Sequence, residues 1–180
     1  MIFIPTPLAG AYLIDLERKG DDCGFLARAF CANEFRRHDL AVRFCQMNNS
    51  LSPQKGTLRG MHYQLAPSAE TKLVRCVRGI LYDLILDLRR NSPTFGESFG
   101  AELSAENYRM MYAPKGFAHG FLTLANDTET IYFADEFYSP EHERCIRYND
   151  PKFELQWPTA PAVISDKDKS QPDFDPVWHL

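Results

Sequence analysis

Residues 80–88 read ILYDLILDL, and the alternation along this stretch decides the fold class. Every second side chain from Ile80 to Leu88 is apolar or aromatic, while Asp83 and Asp87 fall on the opposite parity. Because successive side chains of a β-strand point to opposite faces, the stretch is predicted to be a strand with one wholly apolar face. Shorter segments with a similar pattern lie on both sides of it. They are residues 72–78, 97–103, 109–113, 119–125, 128–135 and 145–148.

Turn-forming residues such as Asn91-Ser92-Pro93 separate the predicted strands. Many short strands with few helices predict a mainly β protein, either a sandwich or a barrel. One helix is predicted at residues 31–40, where Phe35 and Leu40 share an apolar face. No repeat or change of composition divides residues 1–180, so we expect a single domain.

The composition excludes several classes of protein. A net charge of −4 offers no broad basic face, which argues against a nucleic-acid-binding protein. Five scattered cysteines form no CxxC pair, so we expect neither a disulfide framework nor a thiolate zinc site. No run of 18 apolar residues and no signal-like start are present, which predicts a cytoplasmic protein without a membrane span. The Pro- and Asp-rich tail from about residue 158 is predicted to be irregular, and fixed by packing over the barrel if it is ordered.

Two segments place a histidine beside glycine in strand-like surroundings: GTLRGMHYQ at 56–64 and PKGFAHG at 114–120. His62 and His119, on neighbouring strands, could supply half of a metal site. Position 64 shares a face with His62 by strand alternation, but it holds Gln64, a poor ligand. Metal binding is therefore the less favoured interpretation, and neither a metal nor a cofactor is predicted.

Without a metal, His62 suits the role of a general base, because its unperturbed pKa of about 6.5 lies near working pH. Such a base needs a carboxylate to orient its ring, and the residues alone do not identify one. Removal of a carbon-bound proton also needs a cation beside the enolate, for which Lys72 or Arg59 would serve. Reprotonation from the opposite face needs an acid, and Tyr132 and Tyr138 are the candidates. They are six residues apart, so on an uninterrupted strand they would face the same way.

The spacing of Arg59 and His62 carries a structural prediction. Residues three apart on a regular strand point to opposite faces of the sheet. If both side chains line one pocket, the backbone near Gly60 must be irregular, as it is in a β-bulge.

Motifs along most of the chain resemble those of the dTDP-4-dehydrorhamnose 3,5-epimerase family, which belongs to the cupin barrels. The resemblance covers about residues 15–170, and the motifs agree in order and spacing. They are GTLRGMHYQ (56–64), KLVRCVRG (72–79), DLRRNSPTFG (87–96), LSAEN (103–107), PKGFAHGF (114–121), YSP (138–140) and SDKD (165–168).

This resemblance implies a cupin-like jelly-roll barrel that acts as an isomerase without a cofactor. The implied reaction is epimerisation of dTDP-4-dehydro-6-deoxy-D-glucose at C3 and C5, which gives dTDP-4-dehydro-L-rhamnose. His62 then matches the base, Asp168 its orienting carboxylate, Tyr132 the proton donor and Lys72 the residue that stabilises the enolate oxygen. Further positions match substrate contacts. They are Gln46, Asn48, Arg59, His119, Tyr138, Glu143 and Lys167.

Family members are homodimers, and the segment matching Phe25 reaches into the site of the partner. Relatives commonly have arginine at the position of Cys23, and Arg28 is the nearby residue expected to replace its charge. Met47 and Asn49 also differ from the residues of some relatives. These differences and the one at Cys23 keep an alternative open: an epimerase that acts at C3 or C5 only. Two further alternatives from other classes are a metal-dependent cupin enzyme and a non-catalytic barrel that binds sugar nucleotides.

Overall fold

The computed structural model describes residues 1–180 and contains fourteen short strands and three short helices. The strands are β1 (Ile2–Pro5), β2 (Tyr12–Asp15), β3 (Lys19–Asp21), β4 (Gly24–Leu26), β5 (Gln46–Ser52), β6 (Thr57–Gln64), β7 (Lys72–Arg78), β8 (Ile80–Asp87), β9 (Ser98–Ser104), β10 (Met110–Ala113), β11 (Phe117–Thr123), β12 (Thr128–Ala134), β13 (Glu143–Cys145) and β14 (Val163–Ile164). The helices are α1 (Ala32–Arg36), α2 (Asp166–Lys169) and α3 (Pro176–His179). None of them is long and apolar enough to cross a membrane.

Two large sheets form the body of the molecule. The first has the strand order β1-β2-β10-β7-β12-β5, and the second has the order β13-β6-β11-β8-β9. The short strand β14 adds to the second sheet by pairing in parallel with β6. Strands that are distant in sequence are neighbours in both sheets, and this gives the cupin-like jelly roll that was expected.

The central core lies between the two sheets. Val74 and Met111 from the first sheet pack in one apolar cluster with Leu81, Ile85 and Phe121 from the second. The even-numbered side chains of β8, such as Leu84 and Leu86, pack in a different cluster on the outer face of the second sheet. The prediction that residues 80–88 form a strand with two distinct faces is therefore confirmed.

The predicted helix at residues 31–40 is shorter than expected. Helix α1 ends at Arg36, and Asp39 adopts a φ of 56°, which is outside the helical range. Phe35 and Leu40 are nevertheless both buried in one cluster on the outer face of the first sheet, so their shared apolar role is confirmed.

The tail is more regular than predicted. Beyond residue 158 it contains β14, α2 and α3, and it packs on the outer face of the second sheet through Phe174 and Leu180. The predicted strand at 145–148 starts earlier, at Glu143, and ends at Cys145. The strands β13 and β14 differ from the prediction for one reason: short strands beside a sheet edge depend on their partners in space, not on their own periodicity.

Strand β6 is irregular where the spacing of Arg59 and His62 requires it. Its pairing with β11 changes register between His119 and Phe121, so the predicted bulge near Gly60 is confirmed. Gly60 has a φ of +127°, and an added Cβ there would collide with the backbone of Gly120. Only glycine fits this position.

Candidate active site

A cavity of about 310 Å³ opens between the two sheets at one end of the barrel. One wall comes from β5, β7 and β12 of the first sheet, and the other comes from β6 and β13 of the second. Its lining residues are Gln46, Asn48, His62, Tyr63, Gln64, Glu70, Lys72, Tyr132, Tyr138 and Glu143.

His62 and Asp168 form the central pair of the site. The Nε2 of His62 lies 2.7 Å from Oδ1 of Asp168, whose side chain is 5% exposed, while His62 is 32% exposed. Burial raises the pKa of Asp168, but hydrogen bonds and charge from His62 and the Gly60 N–H outweigh it, so the pKa lies below its ordinary value. The carboxylate is therefore ionised and accepts the Nε2 proton, which assigns the lone pair of the imidazole to Nδ1.

The fold brings this pair together from distant parts of the chain. His62 belongs to β6, whereas Asp168 lies on α2. The backbone N–H of Asp168 donates to Oγ of Ser165, the residue that caps α2, at 3.1 Å. This cap fixes the turn of helix that presents the carboxylate to the imidazole.

Lys72 supplies a buried cation close to His62. Its Nζ donates to the backbone carbonyl of His62 at 3.1 Å and lies 3.1 Å from Oε1 of Glu70. Only 10% of the Lys72 side chain and 12% of the Glu70 side chain are exposed. These two contacts hold the ammonium group in place, so the direction of its third N–H relative to the cavity is fixed.

Tyr132 stands on the wall formed by the first sheet. It is the register partner of Val74 on β7 and of Asn48 on β5, and its ring packs against the central core. Burial and the negative charge of Glu70 raise the pKa of its phenol, with Arg59 opposing them. The hydroxyl therefore keeps its proton at neutral pH and remains a proton donor.

Tyr138 and Glu143 form the outer rim of the cavity. The Tyr138 hydroxyl donates to Oε2 of Glu143 at 3.0 Å, and Lys167 Nζ approaches the same oxygen at 2.6 Å. Burial raises the pKa of Glu143, but these two hydrogen bonds outweigh it and the pKa lies below its ordinary value. Gln46 accepts the backbone N–H of Tyr138 at 2.8 Å, which ties the rim to β5.

Tyr132 and Tyr138 do not lie on one uninterrupted strand, because β12 ends at Ala134. Both side chains nevertheless line the cavity. The strand-alternation reason for placing them on one side is therefore wrong, although the two residues do come together.

Arg59 and His119 lie next to the cavity lining. Arg59 is exposed, and its Nε is 3.5 Å from Oγ of Ser52. His119 is the register partner of His62, but it is buried, with Nε2 2.8 Å from Oδ1 of Asp83. Their contacts to a substrate stay predictions.

Phe25 and Arg28 lie outside this cavity in their own chain. Phe25 is on the β3–β4 hairpin, 44% exposed, with its ring centroid 5.1 Å from that of Tyr108. Arg28, two residues after β4, has its guanidinium 3.5 Å from the carboxylate of Glu34. Their predicted roles require a second copy of the chain and stay predictions.

Gln64 has a structural role within the cavity wall. Its amide donates to the carbonyls of Ser68 and Phe137 and accepts the N–H of Ser139 at 2.6 Å. These bonds use both ends of the amide to hold two loops, so the side chain is not directed at a shared ion with His62.

Glu70, which lines the cavity, and Asp83, which contacts His119, are residues that the sequence reasoning missed. A signal existed for Glu70, because it stands two residues before Lys72 and would share its face on an extended chain. Asp83 carried a signal as well, since a carboxylate inside the apolar stretch 80–88 needs a partner when buried.

Comparison with known proteins identifies a family whose members are similar to this chain over nearly its whole length. Residues 5–176 match the family model of dTDP-4-dehydrorhamnose 3,5-epimerase. The chain is 44% identical over 175 residues to the Sinorhizobium fredii enzyme of that name, covering 97% of this chain and 90% of the relative.

Solved structures of enzymes with the same name are also similar. That from Elizabethkingia anophelis superimposes with a TM-score of 0.93 at 38% identity, covering 97% of this chain and 96% of the other. That from Bacillus anthracis, with TDP and pyrophosphate bound, gives a TM-score of 0.91 at 40% identity, covering 96% and 99%.

Proposed function

Because the chain belongs to the dTDP-4-dehydrorhamnose 3,5-epimerase family, it is an isomerase, and we propose that its cavity inverts two carbons of a nucleotide-linked sugar. The substrate is dTDP-4-dehydro-6-deoxy-D-glucose, and inversion at C3 and C5 gives dTDP-4-dehydro-L-rhamnose. The relative from Bacillus anthracis binds TDP, which supports a thymidine nucleotide here. The 4-ketone acidifies the hydrogens at both carbons, so one base and one acid suffice for both inversions.

The observation that carries this proposal is the contact of 2.7 Å between His62 Nε2 and Asp168 Oδ1. The ionised carboxylate holds the Nε2 proton, and Nδ1 is then the nitrogen that takes the proton from carbon. The protonated imidazole that results is stabilised by the negative charge beside it. This is the arrangement that a general base working near neutral pH needs.

Charge that develops on the sugar oxygen at C4 is stabilised by Lys72, whose Nζ is anchored by His62 and Glu70. Tyr132, from the opposite wall, returns a proton to the other face of the carbon. Its raised pKa supports this role, because the phenol stays protonated at working pH. The two walls therefore supply base and acid from opposite sides, as inversion requires.

The remaining predicted residues bind the nucleotide and the sugar. Tyr138 is 56% exposed at the rim, where its ring can lie against a thymine base. Lys167 and Arg59 supply positive charge for the pyrophosphate. The polar side chains that complete this set are those of Gln46, Asn48, His119 and Glu143.

We also propose that the enzyme is a homodimer in the cytoplasm. Phe25 and Leu26 are 44% and 79% exposed on one hairpin, and apolar side chains exposed together are typical of an interface. In the dimer, Phe25 and Arg28 contribute to the site of the partner. All five cysteines are free thiols, which supports a reducing compartment.

The test is solvent exchange followed by proton NMR in deuterium oxide with the dTDP-linked keto sugar. We expect deuterium at both C3 and C5 with the native chain, and a loss of about 10²–10⁴-fold in exchange rate for His62→Asn. His38→Asn, at an exposed position, is the matched control and should retain the native rate.

Other outcomes of the same experiment identify the rival functions. Exchange at one carbon identifies an epimerase for a single centre. Nucleotide binding without any exchange identifies a non-catalytic barrel, and activity that disappears on chelation identifies a metal-dependent enzyme. Full exchange by His62→Asn would reject His62 as the base.

A further inference from the structure

The catalytic pair has a third neighbour, the thiol of Cys145. Cys145 on β13 is the register partner of His62 on β6 and is 3% exposed. One ligand atom from each of His62, Cys145 and Asp168 lies within 4.8 Å of the others. The Sγ of Cys145 makes a long contact of 3.5 Å to the carbonyl of Ile146, so that contact does not hold the thiol strongly.

We infer that His62, Cys145 and Asp168 form an inhibitory binding site for a thiophilic divalent cation such as Zn²⁺ or Cd²⁺. The inference rests on the proposed role of His62 as the base. It concerns a ligand that stops the reaction, and it gives the cation no part in catalysis.

The donor set fits this class of cation. A sulfur, an imidazole nitrogen and a carboxylate oxygen are ligands of zinc, at roughly 2.0–2.3 Å from the metal. Around a tetrahedral ion these bond lengths place the donors roughly 3.2–3.8 Å apart. The contact of 2.7 Å between His62 and Asp168 therefore has to widen, and the thiol has to move inward, by about an ångström each. Such shifts are within reach of side-chain rotation.

The site also has an entrance and an open coordination position. His62 lines the cavity and is one-third exposed, so an ion enters from the cavity and passes the imidazole to reach the buried Nε2 side, where Asp168 and Cys145 lie. Three protein ligands leave a fourth position for water, as in zinc sites that are open to solvent. Mg²⁺ and Ca²⁺ prefer oxygen ligands and are not expected to bind here.

Binding inactivates the base because it relocates the ring proton of His62. The cation takes the Nε2 lone pair, so the single ring proton resides on Nδ1, the nitrogen that would accept a proton from the sugar. The thiol proton leaves to solvent when the cation binds, because the thiolate is the form of cysteine that ligates a metal. The imidazole stays neutral, but it has no lone pair left for carbon.

The experiment uses chelator-treated protein and Cd²⁺ as the probe. We expect one equivalent of cadmium by equilibrium dialysis, an ultraviolet cadmium–thiolate absorption, and inhibition of solvent exchange that a chelator reverses. Cys145→Ser should raise the inhibitory concentration by at least about tenfold and remove the thiolate absorption. Cys31→Ser, at the start of α1, is the matched thiol control and should behave as the native protein.

The readouts separate this inference from the proposed function. Absence of a thiolate signal that depends on Cys145 would overturn the cation site and leave the epimerase mechanism intact. Stoichiometric binding that depends on Cys145 but does not inhibit would overturn the inhibitory role and would also reject His62 as the base. His62→Asn provides a second variant: it should weaken cadmium binding even where Cys145→Ser fails to fold. If cadmium binds this variant with native affinity, the histidine is not a ligand and the proposed site is rejected.

Discussion

Asp168 is the residue on which the chemistry of His62 depends, although it makes no contact with the sugar in the proposed mechanism. It is buried, its Oδ1 faces Nε2, and its Oδ2 accepts the Gly60 N–H at 3.4 Å. The carboxylate therefore holds the imidazole and also the irregular turn of β6 from which that imidazole projects. A neutral group at this position could no longer stabilise the protonated ring.

Asp168→Asn is expected to lower kcat by about 10²–10⁴-fold while KM changes little, because orientation and charge of the base are lost and nucleotide contacts are kept. Steady-state kinetics in a coupled assay measure both constants. Asp166→Asn removes an exposed carboxylate from the same helix and should leave kcat unchanged. An Asp168→Asn variant with native kcat would refute the orienting role.

Single residues were predicted from the sequence when their chemistry was local. His62 follows from its position beside glycine in a strand-like motif, and Lys72 from the need for a cation beside the enolate. The irregularity at Gly60 follows from the spacing of two side chains. The pairing with Asp168 could not follow in that way, since 106 residues separate it from His62. Only the resemblance of its motif to a known family suggested it.

At the scale of elements, the C-terminal segment 166–180 closes the outer face of the second sheet. Arg144 on β13 stacks on Trp178 at 4.0 Å from the ring centroid and donates to its carbonyl at 3.0 Å. Tyr63 donates to the carbonyl of His179 at 2.8 Å, and Arg147 forms an ion pair with Asp173. These contacts hold the far end of the segment that carries Asp168.

Trp178→Ala is expected to loosen this segment, because it removes a cation–π contact of about 0.5–2 kcal/mol. Hydrogen–deuterium exchange followed by mass spectrometry should show faster exchange over α2 and α3, accompanied by a fall in kcat. Its neighbour Val177 is 90% exposed, so Val177→Ala should show neither effect. Unchanged protection in both variants would show that the aromatic contact does not hold the tail.

Elements were predictable where periodicity was sustained. Strands β7, β8 and β12 match their predicted ranges to within about one residue, because each carries a full row of core side chains. The four strands before residue 27 were not predicted, since they are three or four residues long and depend on their partners. Residues 166–169 look polar throughout, and their helix exists because Ser165 caps it and Asp168 finds a buried partner.

At the scale of the whole molecule, several buried phenols lie in and around the packed sheets. Tyr63 is 3% exposed, and burial raises its pKa far above the ordinary value of about 10. Below pH 10 the phenol is neutral in both the folded and the unfolded chain. Above that pH the unfolded chain ionises first, so stability falls as pH rises toward the folded pKa.

Tyr63→Phe should therefore flatten the loss of stability between pH 10 and pH 11.5. One group that ionises only in the unfolded chain contributes a slope of about 1.4 kcal/mol per pH unit. At pH 7 the variant should instead be about 1 kcal/mol less stable, because the hydrogen bond to the His179 carbonyl is lost. Urea unfolding at several pH values measures both effects, and an unaltered alkaline slope would contradict the assignment.

The proposed dimer makes a prediction that involves two different copies. Phe25→Ala should be impaired and His62→Asn inactive, but a mixture of the two should exceed the sum of their rates. In a mixed dimer, one cavity combines an intact His62 with an intact Phe25 from the partner. The measurement is exchange activity after unfolding and refolding the two variants together, with separately refolded samples as the control. Purely additive rates would show that Phe25 does not contribute to the site of the partner.

The position of Asp168 after the strands of both sheets has a consequence for protein synthesis. Both sheets are complete before a ribosome reaches that codon, apart from the short strand that immediately precedes it. A nascent chain, or one cut short by a premature stop codon ahead of position 168, can assemble most of its barrel and still lack the partner of its imidazole. In the proposed mechanism, catalysis therefore requires synthesis to continue past residue 168, and chains that stop before it would be inert barrels.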